Sequence, residues 1–210
     1  ALAAPLSEED CCVQSMPDAS PVKWHLAHTT WFFETFVLEK FEDDFRPFHS
    51  AFRVLFNSYY NGVGDQYPRA KRGLLTRPSL DEVRAYRLDV DARMERLLLS
   101  RGDDPALGEL LTLGLHHEQQ HQELLLTDVK HLLSSNPLAP AYRPRSANAR
   151  EKASSPLQWI AFEGGLVDAG HDGEGFGFDN EWPRHRVYLA PYALASRLVT
   201  NAEYLAFIEA

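Results

Sequence analysis

The fold of this chain is set by a leucine-rich stretch whose centre reads HHEQQHQE at residues 116–123. Seven residues step through it by four and three in turn, as the inward positions of a packed helix do. They are Leu110, Gly114, His117, His121, Leu124, Asp128 and His131. His117 and His121 therefore project from one helix face towards positions where leucines usually pack. Buried imidazoles need a partner, and a metal ion is a common one, so the stretch predicts half of a metal site.

A third ligand must come from another element, because two histidines are too few to hold an ion. His25 and His28 lie three apart on an earlier predicted helix, and spacing leaves the choice between them open. Residues 117–121 also match the zinc-protease pattern H-E-x-x-H, in which Glu118 would be the general base. Leu124 stands where the longer metzincin pattern needs glycine, which weakens this zinc-hydrolase interpretation.

The first part of the chain has start signals for several helices. Ser20 precedes Pro21, a capping box runs from Ser79 to Glu82, and Asp104 precedes Pro105. An acidic turn at residues 7–10 predicts one further helical turn. The main predicted helices span residues 20–40, 47–60, 79–101 and 104–134. Their mostly short connections favour a mainly α fold, an antiparallel four-helix bundle.

The second part of the chain has a different composition. Residues 136–156 are rich in Pro, Ser, Ala and Arg, which is typical of a linker. Strands are predicted at residues 157–162 and 186–189, and a short helix at residues 201–209. We therefore expect a helical domain at residues 1–135, a linker at 136–156, and the incomplete beginning of an α+β domain at 157–210.

Composition and charge exclude several classes of function. The net charge is -9 and the isoelectric point is near 5.4, whereas nucleic-acid binding needs a basic face. No apolar run is long enough to span a membrane. The two cysteines, Cys11 and Cys12, are adjacent and cannot close an ordinary structural loop, so we expect a reducing, cytoplasmic location. The oligomeric state is left open.

Two segments resemble a known family, the ergothioneine-synthesis sulfoxide synthases (EgtB-like). They are SPVKWHLAHTTWFFE at residues 20–34 and GLHHEQQHQE at residues 114–123. FDNEWPRHRV at residues 178–187 and VTNAEY at residues 199–204 resemble the start of the second domain of the same family. The resemblance implies a DinB-like four-helix bundle followed by a formylglycine-generating-enzyme domain of the C-type-lectin-like type.

The resemblance also implies an iron(II) site made by His28, His117 and His121, with His25 as a neighbour. Iron(II) held by three imidazoles keeps positions open for other ligands. In this family these are a cysteine-type thiolate, the imidazole of hercynine (trimethylhistidine) and dioxygen. The implied activity is an oxygen-dependent coupling of hercynine and the thiol to a sulfoxide in ergothioneine biosynthesis.

Three further residues gain substrate roles from the resemblance. Arg69 and Arg72 match positions that hold the carboxylates of γ-glutamylcysteine, although some members of the family take free cysteine. Arginine forks suit this role because they pair with carboxylates through two hydrogen bonds. Gln120 is implied on the hercynine side. The catalytic tyrosine of the family is expected beyond residue 210, so the catalytic residue is unknown and these 210 residues should bind metal without useful sulfoxide synthase activity.

Two other functions fit the same pattern. A DinB-like metal-dependent thiol transferase shares the bundle and the three histidines but needs no oxygen, and the lectin-like second domain argues against it. A metal-stabilised scaffold or sensor would use its second domain to bind a partner. Oxygen uptake that requires both hercynine and thiol distinguishes the oxygenase from both alternatives.

Overall fold

The computed structural model describes residues 1–144 and 154–210 of the chain. It divides into two compact units, Ala1–Pro144 and Arg145–Ala210. This division falls within the predicted linker, residues 136–156, of which residues 145–153 lie outside the described part. The described residues are mainly helical, with a small region of sheet in the second unit.

Three long helices make up most of the first unit: α2, α5 and α6. Helix α2 is followed directly by a π-helical turn, Glu34–Leu38, and by the short helix α3, so that one helical stretch runs through residues 22–41. A 3-10 helix, Arg69–Leu74, lies in the long connection before α5. The α-helices are α1 (Glu8–Cys12), α2 (Val22–Phe33), α3 (Glu39–Phe41), α4 (Phe52–Leu55), α5 (Leu80–Arg101) and α6 (Pro105–Ser134).

The capping residues explain where the longest helices begin. The Ser79 hydroxyl accepts from the Glu82 amide, and the Glu82 carboxylate accepts from the Ser79 amide, which closes the predicted capping box of α5. The Asp104 carboxylate caps α6, with Pro105 in the first turn. The predicted starts of both helices are confirmed. Ser20 does not cap α2, because its hydroxyl accepts a hydrogen bond from Arg72 instead.

The predicted helix at residues 47–60 is wrong, since only Phe52–Leu55 is α-helical there. The buried Asn57 side chain ends this turn. Its amide nitrogen lies 3.1 to 3.2 Å from the carbonyls of Tyr60, Gly64 and Asp65, and its oxygen accepts from the Tyr60 amide. These bonds replace helical hydrogen bonds and turn the chain, which points the Phe56 carbonyl at α2.

An aromatic core lies between α2, α5 and the π-helical turn. Tyr86 and Val90 of α5 pack in one cluster with Trp31 and Phe32 of α2. Helix α6 also packs on α2, and Leu107 joins the same cluster. Helices α2 and α6 together carry the residues of the candidate site described below.

The second unit contains two antiparallel strand pairs and a helix. Strand β1 (Trp159–Phe162) pairs with β4 (Tyr192–Ala195), and β2 (Gly165–Ala169) pairs with β3 (His185–Leu189). Helix α7 (Asn201–Glu209) begins with a capping box between Thr200 and Glu203. Strands β1 and β3 and helix α7 confirm predicted elements, whereas β2 and β4 were not predicted.

None of the helices within residues 1–144 and 154–210 combines the length and apolar character that crossing a bilayer requires.

Candidate metal centre

Three histidines from two helices meet inside the first unit. His28 of α2 and His117 and His121 of α6 each offer one ring nitrogen, and these atoms all lie within 4.8 Å of one another. The three side chains are buried, and their ring centroids are 4.5 to 5.0 Å apart. The four-residue spacing places His117 and His121 one turn apart on one face of α6. The structure thus brings the three predicted ligands together.

Gly114, one turn before His117, allows the close approach of α2 and α6. A Cβ atom at this position would lie 2.6 Å from Cε1 of Phe33 and 3.1 Å from Cε1 of Phe32. Both distances are shorter than an ordinary van der Waals contact. Glycine is therefore required for the helix separation at which His28 reaches the face of α6.

The buried face of α6 departs from the predicted seam after His121. Leu125 and Val129 are buried, whereas Leu124 is 44% exposed and Asp128 is partly exposed. The seam prediction used a coiled-coil repeat, and a straight helix with 3.6 residues per turn drifts away from that repeat. Leu124 and Asp128 consequently line a cavity beside the histidines instead of packing in the core.

The hydrogen bond made by Nδ1 of His28 determines where its other nitrogen points. Nδ1 lies 2.6 Å from the carbonyl oxygen of Phe56, and because a carbonyl only accepts, Nδ1 carries the proton. The Nε2 lone pair of His28 then faces Nε2 of His117 at 3.1 Å. Two imidazole nitrogens that share an ion at about 2.1 Å and at roughly a right angle lie ~3 Å apart. This pair therefore fits a shared metal ion.

Burial keeps the three imidazoles neutral. It lowers the pKa of His117 to about 4, and with smaller contributions from His117 and His25 it lowers the pKa of His121 to about 2. The pKa of His28 also lies well below its usual value, first because of burial and then because of His121 and His117. Neutral imidazole is the form that binds metal ions. The donor set fits a divalent cation, and three imidazoles alone do not distinguish iron(II) from its neighbours.

Buried side-chain nitrogens without a hydrogen-bond partner occur around the same site. Among the described residues they are Nδ1 of His117, Nε of Arg72 and Nε1 of Trp31. Arg72 lines the cavity next to His121, and Trp31 stacks on His28 at a centroid distance of 5.4 Å. Unpaired buried polar groups are uncommon in folded proteins, and they concentrate where a ligand binds.

His25 lies outside the group of three and contacts His121 from the other side. Its Nδ1 is 3.0 Å from Nδ1 of His121, and its Nε2 is 2.9 Å from Oδ2 of Asp128. The spacing of His25 and His28 left the choice between them open, and the resemblance favoured His28. The structure places His28, not His25, with His117 and His121.

A cavity of about 230 Å³ joins the remaining predicted site residues to the histidine cluster. Arg69, Arg72 and Gln120 line it together with His121. The two arginines come from the 3-10 helix and Gln120 from α6, one residue before His121. The side chains predicted for substrate binding therefore surround one cavity, next to one of the predicted ligands.

Arg72 is a buried cation in this cavity. Only 2% of it is exposed, and its guanidinium lies over the Trp24 ring, 3.3 Å from the centroid. Nη1 donates to the Ser20 hydroxyl at 2.8 Å, and within the described part of the chain no carboxylate lies within ion-pair distance of the guanidinium. Burial lowers the pKa of Arg72 to about 9, with a further contribution from Arg69. Such a group is well suited to binding an anion.

The glutamate of the H-E-x-x-H pattern is engaged elsewhere. Nη2 of Arg87 donates to both Glu118 oxygens, at 3.0 and 3.2 Å. Glu118 therefore forms an ion pair with α5, outside the group of three histidines. This geometry does not favour Glu118 as a general base.

His131, the last histidine on the predicted seam, lies apart from the site. Its Nδ1 is 2.8 Å from the Ser15 hydroxyl, and it is partly buried. It provides a matched control for substitutions of the clustered histidines.

Several residues that shape the site were not predicted to do so. Trp24 was expected in the core, yet its ring stacks on His28 and supports Arg72. Asp128 was placed on the inward seam without a role. The Ser20-Pro21 pair gave a helix-start signal but no indication that the serine binds Arg72. Sequence offers no signal for the Phe56 carbonyl, because its position depends on the tertiary turn around Asn57.

Comparison with known proteins gives the same picture. Residues 1–125 match the DinB superfamily, and the chain belongs to that superfamily. It is 29% identical over 147 residues to "Ergothioneine biosynthesis protein 1" of Neurospora crassa, covering 62% of this chain and 16% of that protein. It is 31% identical over 199 residues to "Hercynine oxygenase" of Mycolicibacterium smegmatis, covering 93% of this chain and 44% of that protein.

Within the superfamily the chain is EgtB-like, which confirms the resemblance carried by its histidine motifs. The chain spans less than half the length of each of these curated relatives.

Proposed function

We propose that the chain carries the metal centre and thiol-binding cavity of an EgtB-like sulfoxide synthase. This enzyme would be an iron(II)-dependent oxygenase that joins hercynine to a cysteine-type thiol. The observation that carries the proposal is the cluster of three neutral imidazoles beside a cavity with an unpaired, buried guanidinium. The relative named hercynine oxygenase supports the choice of oxygenase and of hercynine.

His28, His117 and His121 would hold the iron. Their protonation favours this role, because Nδ1 of His28 is occupied by the Phe56 carbonyl and Nε2 is free to bind. Iron(II), when bound, supplies the redox chemistry with dioxygen that the side chains cannot. The protein holds the two organic substrates close together and keeps water away from the reacting atoms.

Arg72 and Arg69 would hold carboxylates of the thiol substrate. A thiol with two carboxylates can engage both guanidinium groups, so the cavity favours γ-glutamylcysteine over free cysteine. Gln120, on the helix that carries His121, would contact hercynine from the same cavity. Arg72 is fixed in place by Ser20 and Trp24, which reduces the entropy lost on binding.

The proposed reaction balances with dioxygen as the only oxidant. The C–H bond of the hercynine imidazole and the S–H bond of the thiol break, and a C–S bond forms. One oxygen atom ends on sulfur as the sulfoxide, and the other leaves as water with the two hydrogens. The two substrates lose four electrons, and dioxygen gains them.

The proposed domain organisation follows the family. Residues 1–135 would form a DinB-like antiparallel four-helix bundle, with α4 as the remnant of its second helix. Residues 157–210, with their two strand pairs and α7, would belong to a C-type-lectin-like, formylglycine-generating-enzyme domain. Residues 136–156 would link the two.

Anaerobic reconstitution with iron(II), followed by oxygen-uptake measurements, tests the proposed function. Hercynine and γ-glutamylcysteine are added singly and together, to the 210-residue chain and to any longer product of its gene. Uptake by the longer product that needs both substrates, with sulfoxide detected by mass spectrometry, is the expected result. Thiol transfer without oxygen uptake would instead identify a metal-dependent thiol transferase, and metal binding without either reaction would favour a scaffold.

A further inference from the structure

The hydrogen bonds on the outer side of His121 form a chain that ends on a carboxylate. Nδ1 of His121 lies 3.0 Å from Nδ1 of His25, and Nε2 of His25 lies 2.9 Å from Oδ2 of Asp128. His25 is 4% exposed, and the Asp128 side chain is 15% exposed. The chain is thus largely shielded from water, where hydrogen bonds constrain geometry most strongly.

The direction of each hydrogen bond in this chain follows from its carboxylate end. An ionised carboxylate only accepts, so Nε2 of His25 must carry a proton. Neutral His25 then has its lone pair on Nδ1, which accepts from Nδ1–H of His121. The lone pair of His121 is left on Nε2.

We infer that His25, oriented by Asp128, is a positioning residue that holds His121 in the tautomer whose Nε2 faces the metal. The inference rests on the proposed metal centre and deepens it. His28 obtains the same tautomer from the Phe56 carbonyl, so the two ligands use different devices for one purpose. A hydrogen-bond acceptor behind a ligating histidine also raises the basicity of the ligating nitrogen.

The Asp128 carboxylate is itself fixed by a second donor. The backbone amide of Ser20 donates to Oδ2 at 2.9 Å, and the hydroxyl of the same serine accepts from Arg72. Asp128 is therefore held from the start of α2 while it holds His25. The residue that anchors this chain also contacts the proposed anion-binding guanidinium, which explains why Asp128 faces the cavity instead of the core.

Nitrogen NMR of the metal-free chain tests the tautomer directly. In a sample labelled with 15N-histidine, two-bond proton–nitrogen correlations distinguish protonated Nδ1 from protonated Nε2. His121 and His28 are both expected as Nδ1–H tautomers, and His25 as the Nε2–H tautomer. An Nε2–H tautomer for His121 would overturn the inference, and this measurement requires no variant to fold.

Metal affinity tests whether the tautomer matters for binding. Asp128→Asn keeps the shape of the side chain, but an amide can either donate or accept and no longer dictates the proton on His25. His25→Phe keeps a ring of similar size and removes both nitrogens. Each variant should bind zinc(II) about 10- to 100-fold more weakly in competition with a chromophoric chelator. The visible absorption of the cobalt(II)-loaded protein should change as well.

His131→Phe is the matched control, because it removes a histidine of α6 that bonds a serine away from the site. Its zinc affinity should stay within about threefold of the parent chain, and thermal unfolding of all metal-free variants separates misfolding from lost positioning. Parent-like zinc affinity and cobalt spectra in both Asp128→Asn and His25→Phe would refute the inference while leaving the metal centre intact. A parent chain that binds no zinc, cobalt or iron would refute the metal centre itself.

Discussion

Two buried polar clusters lie on the same helical stretch, residues 22–41, and they differ in how well they are paired. The first surrounds Glu34 in the π-helical turn. Its carboxylate accepts from the Tyr86 hydroxyl at 2.5 Å and from the Phe48 amide at 2.7 Å, with Arg93 at 3.7 Å. Arg93 is in turn paired with Glu42. This cluster satisfies its charges internally.

The second cluster surrounds His28, six residues earlier, and leaves several groups unpaired. Nδ1 of His117 and Nε of Arg72 are buried without a hydrogen-bond partner, and the Nε2 nitrogens of His28 and His117 face each other. Both clusters cost desolvation energy, but only the first recovers it within the protein. The difference teaches that burial of polar groups alone does not mark a binding site, whereas convergent unpaired groups do.

The largest expected effect comes from removing a histidine of the second cluster. His117→Ala should abolish stoichiometric metal binding, with a loss in zinc affinity of more than about 100-fold, because losing only a hydrogen-bond partner of a ligand costs up to that much. Metal content by mass spectrometry of the reconstituted protein measures it. His131→Ala should retain the metal. Stoichiometric metal in His117→Ala would remove the proposed distinction between the clusters.

Tyr86→Phe tests the first cluster in the opposite sense. It removes the hydroxyl that donates to a buried carboxylate, so the free energy of unfolding in urea should fall by about 1.5–3 kcal/mol. Zinc affinity should remain within about threefold, since this cluster has no free donor to offer. A large loss of metal affinity with unchanged stability would show that the clusters are not separate in function.

Gly114→Ala should affect stability and metal affinity together. Its Cβ would meet the Phe33 ring at 2.6 Å and push α2 away from α6, at a cost of about 1–3 kcal/mol, and His28 moves with α2. Gly108→Ala on the same helix is the matched control, because nothing lies within 4 Å of the Cβ it would add. That control should stabilise the protein by about 0.5–1 kcal/mol. Urea unfolding and zinc competition are measured on both variants, and equal behaviour would show that helix separation does not set the site.

Much of this fold was predictable because its signals are local. The caps at Ser79 and Asp104 and the apolar period of α2 are read from a few neighbouring residues. The predicted helix at residues 47–60 failed because the Asn57 bonds that end α4 reach up to eight residues along the chain. No helical period contains such information.

The site was predictable to a similar degree. The spacing of His117 and His121 indicates half of it, since four residues make one turn. The choice of His28 over His25 depends on which one faces α6 and which one Asp128 holds, and both are tertiary facts. Basic loops usually lie on the surface, so the burial of Arg72 over Trp24 could not be predicted from composition.

The smallest expected effect concerns Arg72, where the second cluster would meet its anion. Arg72→Lys keeps the charge but loses the planar fork and the stacking on Trp24, so γ-glutamylcysteine should bind the metal-loaded chain about tenfold more weakly by calorimetry. Arg77→Lys is the control, because Arg77 is exposed and lies outside the cavity. The free energy of unfolding should change by less than about 1 kcal/mol in both variants, since Arg72 has no carboxylate partner to lose among the described residues. A loss of stability larger than the loss of affinity would mean that Arg72, like Glu34, serves the fold, and the contrast between the two clusters would then rest on the histidines alone.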